Sequence, residues 1–275
     1  MLKLVSWNIR HRPETWRTLL DSGYDIALLQ EACAPPSDIA SRFDVGAERW
    51  KTEGADGKRS WRTALVGLNL GLRLDRIAAR SIAEALPGEL AVSRIGTVSA
   101  AHVEDPETRE KYTLISMYAL WEHPHASTDS SWIYADGSAH RLISDISALV
   151  GQQRSHRVLA AGDLNILYGH GDHGSPYWGE RYRTIFDRLG MVGLQFVGPQ
   201  SPNGRQADPW PSELPRESLN VPTFRTNLHN PDTATRQLDF VFASSDIAAD
   251  VKTRALNTAE EWGPSDHCRV TIELG

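Results

Sequence analysis

Apolar runs that end on a polar residue recur along the chain, and these runs predict buried β-strands. Residues 2–9 place the odd-numbered apolar side chains on one face and end near Asn8. Residues 25–31 are too apolar for a half-exposed strand, so we expect a central strand that ends on Glu31. Such a strand carries its last polar side chain to the edge of a sheet.

A third apolar run, residues 158–161, stops at Gly162 and is followed by Asp163 and Asn165. Residues i and i+2 of an extended chain share a face, so these two polar side chains are expected to point the same way. A catalytic pair at a strand end is one interpretation. The alternative is a strand end followed by an Asx turn, in which the side chains serve only the local backbone.

Residues 237–243 predict a strand whose large apolar residues face one way and Asp239 the other. A buried acid requires a partner. The tripeptide Ser265-Asp266-His267, just before the predicted last strand 268–274, offers one. The pattern therefore predicts a contact between two segments near the end of the chain.

The remaining pattern predicts a hairpin and several helices. Residues 98–103 and 111–118 form the hairpin, and its second strand ends on Tyr118. A helix over 139–150 has an apolar face and is the expected crossover into the Asp163 strand. Further helices are predicted from Pro13 up to Gly23, and over 181–189 with Gly190 as the C-terminal stop.

Composition limits the classes of protein that fit this pattern. With 275 residues, 40% of them hydrophobic and 23% charged, the chain is an ordinary globular sequence, and we expect one domain over 1–275. The net charge of -6 argues against a protein that coats nucleic acid by bulk electrostatics. A polyanionic substrate must then be bound by a small basic patch or by a bound cation.

The cysteine count and the apolar runs bear on location. Two cysteines, Cys33 and Cys268, do not make a disulfide framework, so a reducing compartment is the default. The first residues are too short an apolar stretch for a signal peptide, and no apolar run is long enough to span a membrane. We expect a cytoplasmic protein without stable membrane association, and we predict no protein partner.

Two other polar clusters invite functional interpretations. His170, Asp172 and His173 suggest zinc, but a glycine-rich loop with no evident fourth ligand is more typical of a mobile rim. The insertion 121–137 contains His123, His125 and Trp132. A third group mixes cations with aromatics and suggests either a surface for single-stranded nucleic acid or a solvated edge with two anchoring tryptophans: Trp50, Lys51, Lys58, Arg59, Trp61 and Arg62.

Five short motifs, in this order, connect the strand ends over nearly the whole chain. They are Ser6-Trp7-Asn8, Leu29-Gln30-Glu31, Gly162-Asp163-Leu164-Asn165, Leu238-Asp239-Phe240 and Ser265-Asp266-His267. Their order and spacing resemble the endonuclease/exonuclease/phosphatase superfamily. That resemblance implies a four-layered α/β sandwich of two face-to-face mixed sheets flanked by helices, with the active site at one end of the sheets.

The resemblance also implies hydrolysis of a phosphate ester with a divalent cation, Mg²⁺ or Mn²⁺. Glu31 would be the principal metal ligand, with Asn8 and Asp266 beside the cation. Phosphoryl transfer needs an attacking water that is aligned and relieved of a proton, which suits Asp163 as the base or the orienting group. The roles of the other matched residues follow. Asn8 and Asn165 would hold phosphate oxygens, His267 oriented by Asp239 would donate to a phosphate oxygen, and Tyr118 would bind the phosphate or assist the leaving group.

One position departs from part of the superfamily. Abasic-site endonucleases carry a second acid two residues after the first-strand Asn, and here that residue is Arg10. Because arginine does not ligate metals, a one-cation site or a direct phosphate contact by Arg10 is favoured. Abasic-site specificity is therefore not assigned.

Three functions fit the sequence. The first is a nuclease acting on DNA or RNA, for which the superfamily, the local cations and the tryptophans argue. The second is a phosphatase or phosphodiesterase acting on a small-molecule or lipid phosphate of the inositol phosphate or sphingomyelin type, for which the acidic balance argues. The third is a catalytically silent nucleic-acid-binding module.

Overall fold

A computed structural model of the chain describes residues 1–47, 49–54, 57–122, 127, 135–150, 157–226 and 229–275, with the backbone alone at 53–54 and 57–58. His123, His125 and Trp132 of the predicted insertion lie outside the described residues, as does the side chain of Lys58.

The described residues form fifteen strands and three α-helices. In chain order they are β1 (Leu2–Asn8), α1 (Pro13–Leu19), β2 (Ile26–Ala32), β3 (Thr52–Gly54), β4 (Gly57–Arg59), β5 (Arg62–Gly67), β6 (Leu74–Ile77), β7 (Ala79–Ser81), β8 (Leu90–Val92), β9 (Val98–Glu104), β10 (Lys111–Tyr118), α2 (Asp136–Val150), β11 (Val158–Asp163), α3 (Pro176–Met191), β12 (Leu194–Gly198), β13 (Asp239–Ser244), β14 (Val251–Leu256) and β15 (Arg269–Leu274).

Two large mixed sheets contain most of these strands. The first has the order β14-β15-β1-β2-β5 and the second the order β12-β13-β11-β10-β9-β6. Within the first sheet β1 and β2 are parallel, and within the second β10 and β11 are parallel. Two small pairs, β3-β4 and β7-β8, lie outside both large sheets.

The layers follow from strands that are apolar on both faces. One core joins the two sheets and includes Leu4, Leu28 and Leu159. The opposite face of the first sheet packs Trp7 and Val5 against α1. The opposite face of the second sheet packs its aromatic residues against α2 and α3. The result is the predicted four-layered α/β sandwich, helix, sheet, sheet, helix.

The topology brings the polar strand ends to one edge of the sandwich. Because β1 and β2 are parallel, their carboxyl ends lie side by side, and the same holds for β10 and β11. Strand β13 is antiparallel to β11, in a register that places Asp239 opposite Asp163. Strand β15 is antiparallel to β1, so its start lies beside the end of β1.

Most predicted elements are confirmed, but several helix boundaries are wrong. Helix α1 ends at Leu19, not at Gly23, and α3 begins at Pro176, not at Arg181. The hairpin is β9 and β10, and the predicted crossover is α2, which connects the parallel strands β10 and β11. The predicted stop at Gly190 is wrong because α3 continues to Met191. Gly193, with φ +89°, is the glycine that takes the left-handed conformation after the helix. Within the described ranges, no helix is long and apolar enough to cross a membrane.

Candidate active site

Asn8 connects the two sheets at the edge where the strand ends meet. Its amide nitrogen donates to Oε1 of Glu31 at 3.3 Å and to Oδ2 of Asp163 at 3.0 Å. Its amide oxygen accepts the backbone N–H of Arg10 at 2.9 Å. This hydrogen bond uses one of the two lone pairs of the amide oxygen, so a metal could bind only through the other lone pair. Metal ligation by Asn8 therefore stays a prediction.

Glu31 reaches the site through an irregularity in β2. The pairing with β5 shifts register between Leu29 and Ala32, and Glu31 has φ +48°. This left-handed conformation is costly for a residue with a side chain and is typical of functional sites. The hydroxyl of Tyr118 donates to Oε1 of Glu31 at 2.7 Å.

The surroundings of Glu31 favour its charged form. Burial alone would raise its pKa, but hydrogen bonds from His11, Tyr118 and Asn8 outweigh that effect and lower the pKa. The pKa of Tyr118 lies well above its usual value because of burial and the neighbouring carboxylates. Glu31 is therefore an anion, and Tyr118 is a protonated donor at neutral pH.

Gly162 allows the close approach that positions Asp163. A Cβ at this position would overlap the carbonyl oxygen of Met117 on β10. One carboxylate oxygen of Asp163 accepts the backbone N–H of Asn165 at 2.8 Å, which is the Asx turn weighed from the sequence. The other oxygen faces Asn8 and His267. The Asx turn is therefore present, and Asp163 also contacts the other polar residues at the strand ends.

His267 lies between two buried carboxylates. Its Nδ1 is 2.8 Å from Oδ2 of Asp239, and its Nε2 is 3.6 Å from Oδ2 of Asp163. The side chains of His267, Asp163 and Asp239 are 5%, 1% and 2% exposed. The predicted partner of Asp239 is thus confirmed.

Burial and charge shift the titration of this group strongly. Burial alone would lower the pKa of His267, but the carboxylates of Asp239 and Asp163 outweigh it and raise the pKa to about 10. Burial raises the pKa of Asp163 to about 7, against the opposing charge of His267. At neutral pH the imidazole is protonated on both nitrogens, and Asp163 is poised to exchange a proton.

Two sets of acidic residues are candidates for holding a cation. Ligand atoms of Asp163, Asp239 and His267 lie within 4.8 Å of one another, and this is the one such group among the described residues. A protonated imidazole has no lone pair for a metal, so this group fits a hydrogen-bonded relay better. Glu31 and Asp266, 18% and 14% exposed, supply oxygen ligands that water and a hard cation can reach.

Arg10 lies where abasic-site endonucleases carry an acid. Its Nε is 3.3 Å from Oδ2 of Asp266, and its backbone adopts φ +48°. One terminal nitrogen of the guanidinium is buried and has no acceptor among the described residues. The guanidinium of Arg10 therefore balances the charge of Asp266 and still has an N–H group that can donate a hydrogen bond at the edge of the site.

Two further residues contact the site and were not predicted. Nδ1 of His11 is 3.5 Å from Oε2 of Glu31, and this hydrogen bond raises the pKa of His11. Phe224 packs on the ring of His267, with centroids 5.0 Å apart. The position of His11 directly after a site-bearing strand was an available signal, whereas no pattern around Phe224 pointed to the site.

The glycine-rich loop provides no metal cluster among the described residues. Asp172 accepts from the hydroxyl of Tyr182 at 2.5 Å and lies 3.7 Å from Arg236. Nδ1 of His170 is 3.1 Å from the carbonyl oxygen of Tyr168. These contacts hold the loop against α3, and the choice between a mobile rim and a zinc site stays a prediction.

Comparison with known proteins agrees with this geometry. A sequence model described as the Endonuclease/Exonuclease/phosphatase family matches residues 5–267. A search of the curated proteins finds no matching sequence.

Solved structures with the same fold include nucleases and phosphatases. The endonuclease domain of TRAS1, a telomere-specific non-LTR retrotransposon, is 14% identical with a TM-score of 0.60, over 100% of this chain and 98% of that one. The Neisseria 3′ phosphatase NExo bound to product DNA hairpin is 20% identical with a TM-score of 0.59, over 100% of both chains. A mannosyl-6-phosphatase of Bacteroides thetaiotaomicron is 16% identical with a TM-score of 0.55, again over 100% of both chains.

Proposed function

Because this chain belongs to the endonuclease/exonuclease/phosphatase family, whose members hydrolyse phosphoester bonds, we propose that it is a divalent-metal-dependent phosphodiester hydrolase, and specifically a nuclease acting on DNA or RNA. The observation that carries the proposal is the continuous network from Glu31 through Asn8 and Asp163 to His267. It places a charged carboxylate, a proton acceptor and a cationic donor at one edge of the sheets.

A hard divalent cation fits the oxygen ligands at this edge. Glu31 would hold Mg²⁺ or Mn²⁺ with Asp266, and the amide oxygen of Asn8 is the third candidate ligand. When bound, the cation would neutralise the charge that develops on the phosphate oxygens. The bond between Arg10 and Asp266 favours one cation over two, because the guanidinium already balances the second carboxylate.

The chain's own residues supply the proton transfers and the anion binding. Asp163, with a pKa of about 7, can accept the proton of an attacking water near neutral pH. The protonated His267 donates from Nε2 to a phosphate oxygen, and Asp239 fixes the ring from the other side. Arg10 is a further donor to the phosphate. Tyr118 and Asn165 would bind the phosphate or assist its leaving group by giving up their present hydrogen bonds, from Tyr118 to Glu31 and from Asn165 to Ala119 and Asp163.

Nucleic acid is the proposed substrate, and a small phosphate is the second candidate. Two of the similar structures are a retrotransposon endonuclease domain and a phosphatase with a DNA product. The similarity to a mannosyl-6-phosphatase over both full chains and the net charge of -6 favour a small phosphomonoester instead.

The free thiols of Cys33 and Cys268 support a cytoplasmic location. We also propose that residues 1–275 form one domain.

A panel of substrates tests this proposal. Purified protein with Mg²⁺ or Mn²⁺ is assayed on single-stranded DNA, duplex DNA, RNA, inositol phosphates and sphingomyelin, with His267→Ala as the control. Cleavage of nucleic acid that is lost in His267→Ala supports a nuclease. Release of phosphate from inositol phosphates without any nucleic-acid cleavage would favour the second candidate. Tight binding of nucleic acid without cleavage of any phosphoester would favour the silent binding module.

A further inference from the structure

Trp61 lies directly against the proposed catalytic network. Its ring meets the ring of Tyr118 edge-on, with centroids 5.2 Å apart, and the hydroxyl of Tyr118 donates to Glu31. The guanidinium of Arg59 lies over the Trp61 ring, 5.3 Å from its centroid. Two of the guanidinium nitrogens of Arg59 are buried and the third donates to the carbonyl oxygen of Ile95 at 3.1 Å, so Arg59 supports the ring from behind and the partly exposed ring of Trp61 is the surface beside the site. We call the pair Arg59 and Trp61 the aromatic shelf.

The other members of the mixed cationic and aromatic segment have structural roles. Trp50 packs edge-on against the buried Trp16, with centroids 5.9 Å apart. Arg62 is 6% exposed and donates to the carbonyl oxygens of Thr63 and Arg49. Trp50 therefore anchors this segment, as the alternative of a solvated edge expected, whereas Arg62 is buried and belongs neither to a solvated edge nor to a binding surface. That alternative does not account for Trp61, whose side chain remains partly exposed beside Tyr118.

We propose that the aromatic shelf binds an unpaired base of a nucleic-acid strand next to the phosphate that reacts at Glu31 and His267. This inference rests on the proposed nuclease function and deepens it, because it assigns the substrate class to single-stranded or frayed nucleic acid. Aromatic side chains stack on any base, and a nearby arginine adds a cation–π contribution. A sugar or inositol phosphate has no base and gains nothing from the shelf.

A second exposed aromatic residue lies near Tyr118 in the sequence. Trp121 is 54% exposed and follows Tyr118 by three residues, so it lies within roughly 11 Å along the chain. A base that is paired within a duplex cannot offer its face to a half-buried indole, and this favours the single strand.

Binding is measured in the Asp163→Asn background, which prevents cleavage. Fluorescence anisotropy reports the Kd for a labelled DNA strand of about ten nucleotides, for RNA of the same sequence, and for the matching duplex. The variants are Trp61→Ala, Trp61→Phe as the conservative variant, and Tyr177→Ala as a control that removes an exposed aromatic from the outer helix α3. Circular dichroism melting of each variant reports folding.

If the aromatic shelf binds a base, Trp61→Ala should raise the Kd for the single strand by roughly 5- to 150-fold, the range expected for the loss of one stacked base. Trp61→Phe should recover most of the affinity, and Tyr177→Ala should bind as the parent does. Equal affinity in Trp61→Ala, while the unsubstituted protein cleaves nucleic acid, would overturn the shelf and leave the nuclease proposal intact. A protein that cleaves only small phosphates and binds no strand would overturn both. Loss of folding in Trp61→Ala and Trp61→Phe alike would assign Trp61 to stability and overturn the shelf.

Discussion

Asp239→Asn tests how the protein controls the protonation of His267. The carboxylate of Asp239 is 2.8 Å from Nδ1 of His267, and both side chains are buried. The substitution keeps the shape and one hydrogen-bonding group but removes the charge. We therefore expect a folded protein in which the imidazole of His267 loses its proton more easily and is held less well in its orientation.

The expected magnitude follows from the buried charge pair. Loss of an orienting carboxylate behind a catalytic histidine costs on the order of 10²–10⁴ in rate. Removing one partner of a buried ion pair costs about 3–5 kcal/mol of stability, and the retained amide favours the lower end. Because Asp239 is the stronger of the two carboxylates that raise the pKa of His267 to about 10, the pH at which activity is lost in alkali should move down, toward the ordinary pKa of histidine.

The assay is kcat/KM for a chromogenic phosphodiester with Mg²⁺, measured across pH, together with urea unfolding. Asp145→Asn is the matched control, since Asp145 is also a buried acid but caps the backbone of Ser93 on the other side of the sheet. That control should lose stability without a change in the pH profile. An Asp239→Asn protein with wild-type kcat and an unchanged alkaline limb would refute the assigned role of the pair.

Three more predictions follow from the same geometry. Glu31→Gln should weaken Mn²⁺ binding by about tenfold or more, measured by electron paramagnetic resonance, because the principal carboxylate ligand is lost; unchanged affinity would place the cation elsewhere. For the unsubstituted enzyme, kcat/KM should rise with pH through an apparent pKa near 7, as Asp163 loses its proton, and fall near 10, as His267 does; a profile that is flat across pH 7 would exclude Asp163 as the base. Gly162→Ala should lower the free energy of unfolding by about 1–3 kcal/mol because of the backbone clash, whereas Gly190→Ala, in open space within α3, should raise it by about 0.4–1 kcal/mol; equal urea midpoints for the two variants would contradict this.

Individual strands and helices were predictable because they follow from simple periodicities. Strands that are apolar on both faces need cover on both sides, which agrees with a layered fold, but the four-layered sandwich was expected only from the resemblance that the five motifs carry. The parallel pairing of β1 and β2 places Asn8 beside Glu31, but the sequence pattern did not predict this pairing. The contact between Asp239 and His267 was predictable because an acid on a buried strand requires a partner.

Other features depend on tertiary context that no local pattern encodes. Glu31 adopts a left-handed conformation at an irregularity in the pairing of β2 with β5. The sequence pattern predicts only an ordinary strand end at this residue. The pairing of Arg10 with Asp266 joins segments at opposite ends of the chain. Gly190 lies within a helix because the packing of α3 on the second sheet outweighs the low helix propensity of one glycine.

The central claim is that one edge of the sandwich binds both a divalent cation and the reacting phosphate. It is tested most directly by a crystal soaked with Mn²⁺ and inorganic phosphate, with the metal located by anomalous scattering. The account predicts a metal peak at the Glu31 carboxylate and a phosphate between that peak and Nε2 of His267. A metal peak away from Glu31, or a phosphate bound at another surface with this edge vacant, would contradict it.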